Sequence, residues 1–104
     1  MITFIELTGF SKRRNEFFTD DDFREFQEAL IENPKKGDTI ANTGGFRKVR
    51  WGQGDKGKRS GVRVIYYYMN SAGRIYLALV YPKNVQENLT KEQEKALKNI
   101  ASQL

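Results

Sequence analysis

Between Val62 and Tyr81 the chain reads VRVIYYYM, NSAG, RIYLALVY, and no other stretch limits its folding as much. Two runs rich in β-branched and aromatic residues flank the short link Asn70-Ser71-Ala72-Gly73, which predicts two antiparallel strands joined by a hairpin loop. A third strand is predicted just upstream, over Phe46 to Trp51, and ITFIEL at residues 2–7 reads as a short first strand.

Helices fill the rest. A short one is expected around Gly9 to Phe18. The next is better marked: Thr19 can cap it, Asp20 to Asp22 suit the positive end of its dipole, and Phe23, Phe26, Leu30 and Ile31 recur at helical spacing. At that spacing the phenylalanines belong to a core and not to a ligand groove. Asn33-Pro34 stops the helix, and residues 35–45, KKGDTIANTGG, read as a glycine-rich loop. Thr90 with Gln93 makes the capping-box pattern, and Leu97, Ile100, Ala101 and Leu104 form the stripe of a last helix. The order β-α-α-β-β-β-α predicts an α+β fold. Its small, largely antiparallel sheet has about four strands, with helices packed on one face and the other face left for function. With 104 residues the chain is one domain, 1–104, too short for two cores.

Composition removes several chemistries. The chain has no cysteine, hence no disulfide and no thiolate metal site. It has no histidine either, which excludes Ser-His and Cys-His catalytic pairs and the commonest metal ligand. No metal and no cofactor are therefore expected. The start, MITFIELTGF, is not a signal peptide, and no run approaches the roughly 20 apolar residues of a membrane span. These features predict a cytoplasmic protein that does not engage a membrane.

The net charge of +5 is strongly segregated. Residues 16–32 carry seven acids against Arg24 alone, while residues 46–63 carry seven cations against Asp55 alone. Such a field attracts phosphate-rich partners. Gly52, Gly57 and Lys58 match the spacing of a nucleotide-binding loop, but Arg59 stands where Ser or Thr must hold magnesium. The segment after it, from Val62, is also a strand and not a helix. The loop therefore holds no nucleotide cofactor and is read as gripping the phosphates of some other partner.

Alternation along the strands places Phe46, Lys48 and Arg50 on one face, with Arg47, Val49 and Trp51 on the other. Arg63 shares a face with Ile65 and Tyr67, and Lys83 follows the third long strand. An arginine opening so apolar a strand needs water or an anion. If the strands are neighbours, Lys48, Arg50, Arg63 and Lys83 converge on one patch, with Lys56, Lys58 and Arg59 arching over it. Arginine forks grip phosphate, and nearby aromatic rings can stack bases. Alternatively, Arg47, Lys48 and Arg50 only guard an edge strand, and the tyrosines are ordinary strand formers.

The segments TGGFRKVRW, KGKRSGVRVIYYY and LALVYPKN, with LIENPKKGDTI before them, resemble the RelE/ParE superfamily of bacterial toxins, in its HigB-like branch. The resemblance spans nearly the whole chain, and Thr43 to Tyr67 is its most specific part. It implies a RelE-like fold and the toxin of a type II toxin-antitoxin pair: an endoribonuclease that enters the A site of the small ribosomal subunit (30S) and cuts messenger RNA there without a metal, blocking translation. A HigA-like antitoxin with a helix-turn-helix is the implied partner. By alignment Lys48 and Arg50 fall on the family's strand lysines, Arg63 on the arginine after the glycine, and Lys83 on the basic residue after the last long strand. These four are the candidate catalytic residues. Arg47, Lys56, Lys58, Arg59, Tyr67 and Tyr81 are candidate RNA contacts. A lysine among other cations can act as base, so Lys48 is assigned that role. Arg50 and Arg63 are assigned as phosphate clamps, and Lys83 as clamp or proton donor. The sequence departs from the family in carrying Leu89 where some members have a functional tyrosine, and in lacking a histidine near its end. Stacking then falls to Tyr66, Tyr67, Tyr81 or Trp51. A second reading is a ParE-like toxin that blocks DNA gyrase by protein contact, without catalysis.

Overall fold

The computed structural model describes residues 1–52, 61–86 and 88–104. In chain order its elements are β1 (Thr3–Glu6), α1 (Thr8–Ser11), α2 (Arg14–Phe17), α3 (Asp20–Glu32), β2 (Asp38–Thr39), β3 (Arg47–Trp51), β4 (Val62–Met69), β5 (Arg74–Pro82) and α4 (Lys91–Gln103). One sheet joins all five strands in the order β1-β5-β4-β3-β2. The β1/β5 pair is parallel and the other three pairs are antiparallel.

The caps sit where the sequence places them. The Thr19 hydroxyl accepts from the Asp22 amide at the head of α3, and Thr90 with Gln93 forms a reciprocal capping box on α4. Asn70–Ala72 turns the hairpin as one 3-10 turn and Gly73 closes it with φ +63. The single early helix becomes two four-residue turns, α1 and α2, broken at Lys12-Arg13.

The α+β class and the element order are as expected, and three details differ. The sheet gains a fifth strand at Asp38–Thr39, too short and polar to show as a periodic run. It is mixed, because the long excursion through α1 to α3 lets β1 lie parallel to β5. Helices also cover both faces. On one face Phe23, Phe26 and Leu30 of α3 pack with Val62, Val64 and Tyr66; on the other Leu97 of α4 packs with Phe46, Ile65 and Ala78. Strand β4 is nearly continuously apolar, as a strand buried on both sides must be.

Two local features fix these layers. The α3 side is an aromatic stack of Phe10, Phe18, Phe23 and Phe26, with ring centroids 5.4 to 6.4 Å apart. Phe26 in turn meets Trp51 edge-on at 5.2 Å. The α4 side depends on Gly44, whose φ of +77 suits glycine and whose missing side chain admits α4: a Cβ there would lie 2.8 Å from the Ala101 Cβ. Thr43, fully buried, ties this turn by donating to the Ile40 carbonyl and accepting from the Phe46 amide.

The chain leaving α3 is fastened to the sheet through Tyr66. Its hydroxyl donates to the Pro34 carbonyl at 2.8 Å and accepts from the Gly37 amide at 2.9 Å, and both groups lose their partner in Tyr66→Phe. That variant is expected to unfold about 1–3 kcal/mol more easily in urea. Burial also raises the Tyr66 phenol above its usual 10.0, against smaller lowering from Gly37 and Arg47. A phenol raised in the folded state supports stability below pH 10.0 and loses that support as pH climbs through the raised value. The alkaline fall in stability should therefore be shallower in Tyr66→Phe than in the wild type.

Candidate functional site

At one end of the sheet the register lines up Arg50, Arg63 and Tyr81 across β3, β4 and β5. Residues directly opposite share a face, so the three side chains lie on the α4 side. The next row inward is Lys48, Ile65 and Leu79. Lys48 is thus two residues along β3 from Arg50, about 7 Å at ordinary strand rise. Beyond β5 the Lys83 amide donates to the Gly61 carbonyl at 3.4 Å, which holds the start of β4 beside the end of β5. Arg50, Trp51, Gly52, Gly61, Val62, Arg63 and Lys83 line a cavity of about 170 Å³. Three of the four residues expected to carry chemistry meet there, and Lys48 stands one row away on the same face.

A strand bulge places Tyr81 in this row. Ile65 pairs with Leu79 and Tyr66 with Leu77, so Ala78 is the extra residue and the alternation of β5 reverses at that point. Leu77 and Val80 both face the α3 side, whereas Ala78, Leu79 and Tyr81 face α4. Gly9 at the start of α1 lies directly against the bulge, where a Cβ would approach the Ala78 carbonyl to 2.9 Å.

The electrostatics are one-sided. Arg63 is only 4 % exposed. The ion pairs among the described residues are Arg13–Glu16, Arg14–Glu6 and Arg24–Asp21, all remote from the cavity. A guanidinium taken out of water needs compensating acceptors, yet Arg63 Nε has no hydrogen-bond partner among the described residues. The Tyr81 hydroxyl opposite it has none either. Burial raises the Tyr81 phenol above its usual 10.0, and the nearby Arg63 charge offsets this in part. The phenol therefore stays protonated, and a donor, at neutral pH.

Other expected residues lie elsewhere. Arg47 points to the opposite face, where its guanidinium donates to the Gly37 carbonyl at 2.7 Å and to that of Lys35 at 3.5 Å. Tyr67 is half-buried, its ring edge-on to Phe46 at 5.2 Å, and four residues along β4 from Arg63, about 13 Å away. The rings of Tyr66 and Tyr81 are buried at 0 % and 4 % exposure, so neither offers a face on which a base can stack. Leu89 is half-buried against the α4-side core. Lys56, Lys58 and Arg59 lie outside the described residues. Strand alternation was enough to find the cationic row. The place of Tyr81 depends on the bulge, whose only trace in the sequence is a small residue, Ala78, inside a run of large ones. Register also sets Asp38 directly opposite Lys48, a pairing that a two-residue strand gives no means of reading beforehand.

A small mixed sheet clasped between helices, with a cationic row at one end, defines a compact α+β protein with a cationic sheet face. Comparison with known proteins gives that class a family. A family model described as the RelE toxin of the RelE / RelB toxin-antitoxin system matches residues 24–104, and the chain belongs to that family. Among solved structures it is similar to a double arginine-to-alanine mutant of E. coli toxin RelE in the free state, with TM-score 0.59. The match covers 95 % of this chain and 97 % of that one at 13 % identity, a likeness of fold. No helix among the described residues is long and apolar enough to cross a membrane.

Sulfate binding at the cavity is read by isothermal titration calorimetry, and the wild type should give a saturable heat. Arg50→Ala or Lys83→Ala should weaken sulfate binding on the order of three- to tenfold. Arg24→Ala, exposed on α3 across the sheet, should bind as the wild type does.

Proposed function

We propose that this RelE-family toxin is a ribosome-dependent endoribonuclease that cuts messenger RNA in the A site and is neutralised by a HigA-like antitoxin with a helix-turn-helix. The observation that supports this reading is the meeting of Arg50, Arg63 and Lys83 around one cavity, with Lys48 on the same face. A phosphodiester bound there is held by several cations. The ribose 2′-oxygen attacks the adjacent phosphorus, the bond from phosphorus to the 5′-oxygen breaks, and the products are a 2′,3′-cyclic phosphate and a 5′-hydroxyl. One proton leaves the 2′-hydroxyl and one reaches the departing 5′-oxygen.

In this scheme Lys48 takes the first proton, Arg50 and Arg63 clamp the phosphate, and Lys83 clamps it or delivers the second proton. Arg63 is the most constrained of the four. Fixed donors aimed at oxygens that gain charge are usually the largest catalytic term. Lys56, Lys58 and Arg59 would add to the grip on RNA, and Tyr67 would serve as a half-buried aromatic contact; Arg47, held on the opposite face by the Gly37 and Lys35 carbonyls, takes no part.

Primer extension on a defined message with purified ribosomes tests the reading. Cuts should fall within the A-site codon and need ribosomes. Arg63→Ala should slow them roughly 100-fold or more, and Lys83→Ala should also slow them. An intact message, with toxicity persisting in both variants, would instead direct attention to gyrase supercoiling.

A further inference from the structure

Arg63 Nε and the Tyr81 hydroxyl are the buried side-chain polar atoms without a hydrogen-bond partner among the described residues. Their residues are direct register partners across β4 and β5, and each is 4 % exposed. Such orphans are uncommon in protein interiors, because each has given up hydration and received nothing in return. Two side by side, with Arg63 lining the cavity, point to a ligand atom that serves both. The surroundings fix its chemistry: Arg50 and Lys83 line the same cavity as Arg63, and no carboxylate pairs with them among the described residues. The missing acceptor is an oxygen of an anion.

We propose that Arg63 Nε–H and the Tyr81 hydroxyl donate together to one phosphate of bound RNA, so that Tyr81 acts through its hydroxyl on the phosphodiester and not through its ring on a base. That the phosphate belongs to RNA rests on the endoribonuclease reading; the anion seat itself does not. The edge of a guanidinium presents Nε–H beside a terminal N–H, the fork that matches a phosphate. Tyr81 adds a neutral donor to a site that already concentrates cations, strengthening the grip without further charge repulsion. It moves no proton. Its hydrogen bond strengthens as charge builds on the phosphoryl oxygens.

Tyr81→Phe isolates the hydroxyl. It keeps the buried ring, and no hydrogen bond to a described residue is lost, so the thermal midpoint should be unchanged or raised. Sulfate affinity, read by isothermal titration calorimetry, should fall roughly tenfold, as should ribosome-dependent cleavage of a defined message. A clearly lowered midpoint would show that the hydroxyl serves the fold and would overturn the proposal, as would unchanged sulfate affinity. The two readings also separate. A wild type that cuts, beside a Tyr81→Phe variant that cuts equally fast, removes the Tyr81 role and leaves the nuclease. A wild type that binds sulfate through Tyr81 yet leaves ribosome-bound message intact keeps the anion seat and removes the nuclease.

Discussion

Ala78 has no partner of its own on β4, and the reversal of faces at that residue decides what the end of the sheet contains. Strict alternation from Leu77 would send Tyr81 into the phenylalanine cluster and turn Val80 toward the cations. With the bulge, Val80 joins Val62 and Val64 in the α3-side core while Tyr81 comes to lie opposite Arg63. One inserted residue thus exchanges an apolar for a polar neighbour beside a buried arginine. Gly9 approaches the bulge closely, so the first helical turn and the cationic row meet at one backbone feature.

The face shared by α4 and the cations is divided along its length. At one end Phe46, Tyr67 and Tyr76 pack ring against ring, and α4 approaches through Gly44. At the other end Arg50 and Arg63 border the cavity, with Tyr81 paired to Arg63 in the same row. The apolar end supports the folded sheet through burial, which allows the other end to keep a guanidinium with an unmatched Nε. A site that is partly desolvated before an anion arrives is the arrangement in which fixed donors act most strongly on charge.

Four of the five strands, the caps, the cationic face and the family were legible in the sequence, because each depends on local chemistry. Thr19 and Thr90 cap their helices from within one turn, and Lys48, Arg50 and Arg63 follow from alternation alone. What could not be read depends on contacts distant in sequence. The docking of α4 on the second face needs the Thr43-Gly44-Gly45 turn to meet Ala101, far along the chain. Arg47 looks like one more cation in a basic run, yet it is spent on the Gly37 carbonyl across the sheet edge. Tyr81 looks like a stacking ring until register and bulge together bury it.

The same alternation separates the cationic row from the acids of α3. Strand β3 sends Val49 and Trp51 toward α3 and sends Lys48 and Arg50 the other way. The acids of α3, Asp20 to Asp22 with Glu25 and Glu28, therefore stand behind the sheet and not over the cations. Asp20 to Asp22 meet the positive end of their own helix, and Asp21 also pairs with Arg24. Neither arrangement draws on Arg50, Arg63 or Lys83. The sheet keeps the two charged regions apart, so they form a front and a back instead of cancelling. A polyanion approaching such a molecule is turned toward the cationic face and repelled from the other. Sheet parity, which sorts the core into two layers, thereby also sets the direction of the field that such a polyanion meets.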